Sequence, residues 1–350
     1  MSRAQPSLSY LVEPRFRGGT ASSFMAEIAV TARHARVSVN ALSGGLLEGR
    51  PHGPMENGLA EMGLALDWDA PVIAADLVVI QNPVFLCTCP QLPLRIVART
   101  VVVVTHENFL RPAGEAGFDL GHVLDLIDRA SVATSRLLAP VSPHNRAGVA
   151  GWLERGRMAG RWRLLPDDWT NVVAGPFLEP TDAPRDRRGR LSREGLEKFP
   201  SLADMDLDFP PHAEANLIMG ADLLGPEERS RRHWRLLPFG ALPVDEFFGM
   251  IDFMVYHTAP TWTESFGRVI AEAVCAGKVV IAGPEARPVF GEAVVVAPPA
   301  EVDRVIAGFL SEPPRYGAQV RRAQAVLMDT YGEDAFLRRV SAVLTAGAPR

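Results

Sequence analysis

The segment WTESFGRVIAEAVCAGKVVIAGP, residues 262–284, carries two glutamates, Glu264 and Glu272, with seven residues between them in an otherwise apolar run. Carboxylates accept hydrogen bonds from paired hydroxyls well. Ser265, Phe266 and Gly267 stand where a helix should begin, and the unpaired backbone N–H groups of a helix start favour a phosphate. If both glutamates were helical they would stand roughly 12 Å apart along the axis, one on each side of that phosphate position. The span suits a diphosphate with a hexose at one end and a ribose at the other. Two plainer readings compete: a solvated helix face, and a pair between Glu272 and Arg268 one turn earlier, worth only about 0.2–0.5 kcal/mol.

Other candidates lie elsewhere in the chain. Gly18 and Gly19 in EPRFRGGTAS follow an apolar run and offer bare backbone to a ligand, or simply make a tight turn; Arg15 and Arg17 beside them bring positive charge. His106 follows TVVVVT, at the carboxyl end of a buried strand. There it can exchange a proton near neutral pH with Glu107 as orienting partner, or only hydrogen-bond loop backbone. The basic stretch RDRRGRLSREGLEKFP, residues 185–200, needs no function if it is a solvated charge run. Asp204, Asp206 and Asp208 in ADMDLDFPP have the alternation that can hold a divalent metal, but no buried strand precedes them, and the stretch reads as an acidic loop. The other histidines show no ligand spacing, and Cys87, Cys89 and Cys275 are too few and too badly spaced for a disulfide framework or a four-ligand zinc site. No metal and no cofactor is expected. Nor is there a G-x-G-x-x-G, which counts against a dinucleotide dehydrogenase.

These residues need elements to hold them. Apolar, β-branched runs alternate with helical patterns: strands at Leu8–Val12, Val37–Leu42, Asp76–Gln81, Thr100–Thr105 and Leu137–Val141, with a helix over 21–33 and Ser142-Pro143 opening another. That rhythm implies right-handed crossovers and a parallel sheet. Residues 181–215 are dense in Arg, Asp, Pro and Gly, and a hinge is placed near 166–180. A second series follows at Asn216–Met219, Trp234–Leu237, Phe253–Tyr256, Val279–Ala282 and Ala293–Val296, with Gly277 capping the helix over 267–276 and two helices, about 315–328 and 333–345, closing the chain. The fold class is therefore α/β. Parallel open sheets bind ligands beyond the carboxyl ends of their strands, so two in tandem are expected to face each other across a cleft.

TESFGRVIAEAVCAGKVVI resembles the glutamate-seven-glutamate segment of retaining GT-B glycosyltransferases of the family-four type, usually E-x-F-G-x-x-x-x-E-A-x-A-x-G-x-P-V. Both acids, Phe266, Gly267, Ala273, Gly277 and Val280 match, with Val279 where proline is common. The resemblance implies that Glu264 holds hexose hydroxyls, Glu272 holds ribose, and the N–H groups of Ser265, Phe266 and Gly267 meet phosphate. It gives Gly18-Gly19 a place in a paired-glycine loop and His106 a place near the transferred sugar. Gly189-Arg190 followed by Lys198 is similar to the family's diphosphate-binding G-R turn and lysine, with Arg193 a near alternative, although no apolar strand precedes Gly189. A strand ending near Phe239 would let backbone there read the nucleobase, with a helix at 244–251 after it.

The chain of 350 residues, 47% apolar and 22% charged, is long enough for two globular domains. Its formal charge of −5 argues against general nucleic-acid binding. The first thirty residues lack a secretory pattern, and a cytoplasmic protein is the default. The expected organisation is two Rossmann-like domains, 1–168 on the acceptor side and 169–328 for the nucleotide sugar, with 329–350 crossing back to the first. The expected activity is metal-independent hexosyl transfer with retention, from a nucleotide diphosphate sugar to a sugar, lipid-linked or small-molecule acceptor, with a peripheral membrane contact left open. A non-catalytic sugar-nucleotide-binding partner and a sugar-nucleotide epimerase on the same fold are the alternatives.

Overall fold

The computed structural model describes residues 5–16, 18–44, 47, 49–51, 53–108, 117–155 and 160–346. Arg17 lies outside the described residues. The chain divides into two units, Met1–Val172 with Glu333–Arg350, and Val173–Gly332.

In the first unit, seven parallel strands are β1 (Ser7–Val12), β2 (Arg36–Ala41), β3 (Leu66–Trp68), β4 (Val72–Gln81), β5 (Arg95–Thr105), β6 (Ser131–Pro140) and β7 (Arg163–Leu164). They lie in the order β3-β2-β1-β4-β5-β6-β7. The valine run Val101–Val104 places β5 in the middle of the core, fully buried on both faces, as a central parallel strand requires. Leu120, Val123, Leu124 and Ile127, spaced for one face of the helix Leu120–Ala130, complete that core. The last helix, Glu333–Ala346, belongs to this unit, where Phe336 meets Trp169 edge-on at 5.5 Å.

The second unit holds β8 (Arg187–Leu191), β9 (Ala215–Met219), β10 (Arg235–Leu237), β11 (Phe253–Tyr256), β12 (Val279–Ala282) and β13 (Val295–Val296), all parallel, in the order β10-β9-β8-β11-β12-β13. In both sheets the order reverses beside the unit's first strand, between β1 and β4 and between β8 and β11. Such reversals open a crevice at the carboxyl edge, where open parallel sheets bind ligands.

Two sequence expectations are corrected here. The basic stretch before and after Gly189 is not without a strand: RRGRL is β8, the strand at the middle of the second sheet. Its side chains are cationic, so no apolar pattern announces it, and the structure compensates them one by one. Arg187 Nε and Nη2 donate to Asp252 at 2.7 and 3.0 Å. Arg188, almost wholly buried, donates to Asp186, to Asp303 at 2.6 Å and to the Asp208 carbonyl at 3.0 Å. Gly189 lets Ile251 and Phe247 close onto the strand, since a Cβ there would stand 2.6 Å from Ile251 Cδ1.

The acidic stretch is likewise a helix, Leu202–Asp208, and not a loop. Ser201 caps it by accepting from the Asp204 N–H at 3.1 Å. Asp206 pairs with Arg231 and Asp208 with His257, so the three acids serve three separate structural contacts.

Candidate functional site

At the reversal in the second sheet, β8 ends at Leu191 and a short 3-10 turn, Leu196–Lys198, brings Lys198 back over the strand ends. On the neighbouring strand, β11 ends at Tyr256, and the loop that follows carries Trp262 and Glu264 to the helix Arg268–Cys275. Glu264 thus lies in the loop ahead of the helix and not on the helix itself. Lys198 Nζ forms an ion pair with Glu264 Oε1, and the Tyr256 hydroxyl donates to the same oxygen at 2.8 Å. The ammonium also sits 4.5 Å from the centroid of the Trp262 ring, and the Arg193 guanidinium lies 5.8 Å from that ring.

Burial alone would raise Glu264, but Lys198, with the hydrogen bonds the carboxylate accepts, holds it below the ordinary carboxylate range. Burial pulls the Lys198 ammonium below its usual value, against the opposing attraction of Glu264. Each charge is compensated by the other. A ligand offering a diphosphate to the ammonium and hydroxyls to the carboxylate can therefore replace both partners without stranding either charge.

Arg190 takes a different position from Lys198. It is fully buried between the rings of Phe199 and Tyr256, at 4.8 and 4.6 Å, and donates to the carbonyls of His257, at 2.6 Å, and of Lys198. Its terminal nitrogens are spent on backbone, so in this geometry it anchors the turn that carries Lys198. His257 beside it donates from Nδ1 to Asp208 at 2.9 Å and from Nε2 to the Ala297 carbonyl at 2.9 Å. Burial would lower this histidine, but the bond to Asp208 raises it above its ordinary value.

Gly267, at φ +85°, makes the left-handed step that opens the helix, a conformation that other residues adopt only with strain. Phe266 is buried against Phe290 and Tyr331, with centroids 5.4 and 5.2 Å away, which fixes the loop from below. The backbone N–H groups of Ser265, Phe266 and Gly267 meet no acceptor among the described residues. Glu272, on the helix, accepts from Arg268 Nε at 2.9 Å, which is the plain i,i+4 pair; burial pushes its carboxyl up in spite of that arginine. Gly277 ends the helix at φ +73° as its position in the sequence predicts. Phe239 is half-exposed just after β10, with its N–H donating to Asp222 at 2.8 Å.

In the first unit, Gly18 at φ +75° leads from β1 into the helix Gly19–Thr31, and a Cβ on it would meet open space. Arg15 turns away from the glycines and donates to the carbonyls of Leu42, at 2.5 Å, and of Leu47. His106 follows β5, and its Nε2 lies 2.7 Å from Oε1 of Gln81, the last residue of β4. Glu107 enters through its carbonyl, which accepts from Asn145 Nδ2 at 2.9 Å. Sequence reasoning missed Gln81 and Tyr256, although each ends a central parallel strand by the same positional rule that singled out His106. Among the described residues no group of three or more His, Cys, Asp or Glu is placed to hold a metal ion, and no helix is long and apolar enough to cross a membrane.

No family model and no curated protein sequence matches the chain. Solved structures do. HepE from Anabaena, solved with UDP and glucose, aligns over 97% of this chain and 100% of its own with a TM-score of 0.66 at 13% identity. Sucrose-phosphate synthase from Thermosynechococcus elongatus aligns over 98% and 100% with a TM-score of 0.60 at 14% identity. WaaG, a glycosyltransferase involved in lipopolysaccharide biosynthesis, aligns over 97% and 99% with a TM-score of 0.56 at 15% identity. Identities this low carry the architecture and leave the chemistry to the residues. With two parallel sheets, each ordered about a reversal beside its first strand, the chain has the fold of the GT-B glycosyltransferases.

Proposed function

We propose that the chain is a retaining, metal-independent glycosyltransferase that moves a hexose from a nucleoside diphosphate sugar to an acceptor hydroxyl. The observation that carries the reading is the Lys198–Glu264 pair at the sheet reversal, directly ahead of a helix start whose N–H groups meet no acceptor among the described residues. Lys198 is assigned the diphosphate, with Arg190 supporting it through its carbonyl and Arg193 flanking it across Trp262. Glu264 is assigned the hexose hydroxyls, Ser265, Phe266 and Gly267 the phosphate oxygens, Glu272 the ribose, Phe239 the base, and the Gly18-Gly19 loop and His106 the sugar and acceptor.

In this reading the bond from the anomeric carbon to the diphosphate breaks as the bond to the acceptor oxygen forms on the same face. The acceptor proton passes to the departing diphosphate oxygen. Lys198 and the loop N–H groups stabilise the charge that develops there, and one well-aimed donor supplies about 2.7–4 kcal/mol, or 10²- to 10³-fold in rate.

Purified protein incubated with labelled UDP, GDP and ADP sugars in the presence of a chelator tests the proposal. HepE was solved with UDP and with UDP-glucose, so UDP sugars come first. Transfer or slow donor hydrolysis with the anomeric configuration kept is expected; saturable binding with neither reaction would leave only a binding protein.

A further inference from the structure

The helix Gly19–Thr31 buries Glu27 at 3% exposure against the end of the first sheet, with no cation paired to it among the described residues. Its Oε2 accepts from Gln81 Nε2 at 2.8 Å and from the Trp169 indole at 3.1 Å. Tyr10 of β1 is the other titratable group facing it, and that phenol is raised well above its ordinary value, first by burial and then by Glu27. Burying a carboxyl among neutral groups costs stability that an apolar side chain of the same size would avoid. The contact it maintains leads to His106.

We propose that Gln81, held by the buried carboxyl of Glu27, is a positioning residue that fixes the proton of the His106 ring on Nε2. This rests on the assignment of His106 to the sugar and acceptor made above. An indole N–H can only donate, so Glu27 Oε2 is an acceptor and faces the amide nitrogen of Gln81. The Gln81 carbonyl is thereby turned to His106 Nε2, 2.7 Å away, and a carbonyl can only accept. Nε2 must carry hydrogen, and the neutral ring is basic at Nδ1. Glu27 Oε1 faces the Tyr10 hydroxyl but makes no bond of hydrogen-bond geometry among the described residues, and with a neutral carboxyl's proton on that oxygen Oε2 still accepts. Burial raises this carboxyl to about 7, so both states are met near neutral pH.

The backbone on each side of His106 is fixed as well. The Thr105 hydroxyl donates to Asn145 Oδ1 at 2.5 Å, and Asn145 Nδ2 donates to the Glu107 carbonyl at 2.9 Å. Strand, ring and loop are thus tied to three separate elements, β4, the helix Gly19–Thr31 and the helix Pro143–Arg155.

The test is nitrogen–proton NMR of the full chain labelled in its histidine rings, with the His106 signals assigned by their loss in His106→Gln. Neutral His106 in the wild type should show the proton on Nε2. Gln81→Met and Glu27→Leu should lose that preference and give a mixture, while Glu27→Gln, whose carbonyl still accepts, should keep it. Proton on Nδ1 in the wild type, or an unchanged tautomer in a folded Gln81→Met, overturns the relay. If the tautomer behaves as expected but His106→Gln transfers sugar at the wild-type rate, the relay stands and the role given to His106 above is what fails.

Discussion

Lys198 and Glu264 meet as an ion pair at the one place in the second sheet where strand order reverses, each carried there by the loop after a different central strand. If Lys198 holds the departing diphosphate as proposed, replacing it by Met should lower kcat by about 10²- to 10³-fold, the loss of one aimed charge. It should also move the acid limb of the pH–rate profile. With Lys198 present, Glu264 is held below the ordinary carboxylate value and stays ionised as pH falls; without it, burial dominates and the limb shifts to higher pH. An acid limb at the same pH in both proteins would detach Glu264 from the reaction.

Glu272 separates a ligand contact from a plain surface pair. The contact with Arg268 is a partly buried i,i+4 pair worth about 0.2–0.5 kcal/mol on a helix, and Gln keeps an acceptor for the arginine, so Glu272→Gln should change stability little. If the carboxylate holds ribose, calorimetry with the nucleoside diphosphate should show binding weakened by about 1.5–3 kcal/mol, the usual worth of a hydrogen bond to a charged group. Unchanged affinity returns Glu272 to the pair with Arg268 alone.

The arginine strand β8 depends on acids from elsewhere in its unit. Asp252, fully buried, receives the Arg187 fork and the Arg185 N–H, and Asp252→Ala should cost about 3–5 kcal/mol by leaving a cation uncompensated. Urea unfolding followed by the fluorescence of Trp234, which lies in the same unit, reads this; a shift under 1 kcal/mol, the usual worth of an exposed pair, contradicts it.

Space at Gly189 gives an independent check on that strand. Gly189→Ala drives a methyl to within 2.6 Å of Ile251 and 3.1 Å of Phe247, an overpacking expected to cost about 1–3 kcal/mol. Adding Ile251→Ala should give a double mutant more stable than the sum of the two single losses predicts. Strict additivity in thermal or urea melts would mean the two side chains never compete.

His257 makes a prediction in pH. Its folded value is raised above the unfolded one by Asp208, so its contribution to stability is full below the ordinary histidine value of about 6.5 and is lost as pH rises through the folded value. The unfolding midpoint should fall across that range, and Asp208→Asn should flatten the fall. Titration of the His257 ring by NMR gives the window directly.

The apolar strands were legible because parallel sheets buried on both faces demand continuous β-branched runs: Phe253–Tyr256 and Val279–Ala282 stand where the sequence places them to the residue. The helix cap at Gly277 was legible for the same kind of local reason. What escaped was set by partners distant in sequence. β8 is invisible to hydropathy because Asp252 and Asp303, 65 and 115 positions away, are what allow arginines to occupy a sheet centre. The sequence singles out Glu264 as a candidate by its setting, but its pairing with Lys198 spans 66 positions and no local pattern encodes it. Gln81 and Glu27 were missed because an amide at a strand end and an acid inside a helix are both ordinary residues until the fold sets Glu27 against Gln81 and Gln81 against His106.

Arg190 reaches the carbonyl of Lys198 with one nitrogen and that of His257 with another, while two aromatic rings hold its guanidinium flat. The main chain under Lys198 is therefore already ordered, and a ligand drawing on that ammonium has only the rotamers of one side chain to freeze. Affinity at this position should come with a small entropic penalty, and binding should leave the loop's amide hydrogen exchange nearly as slow as before.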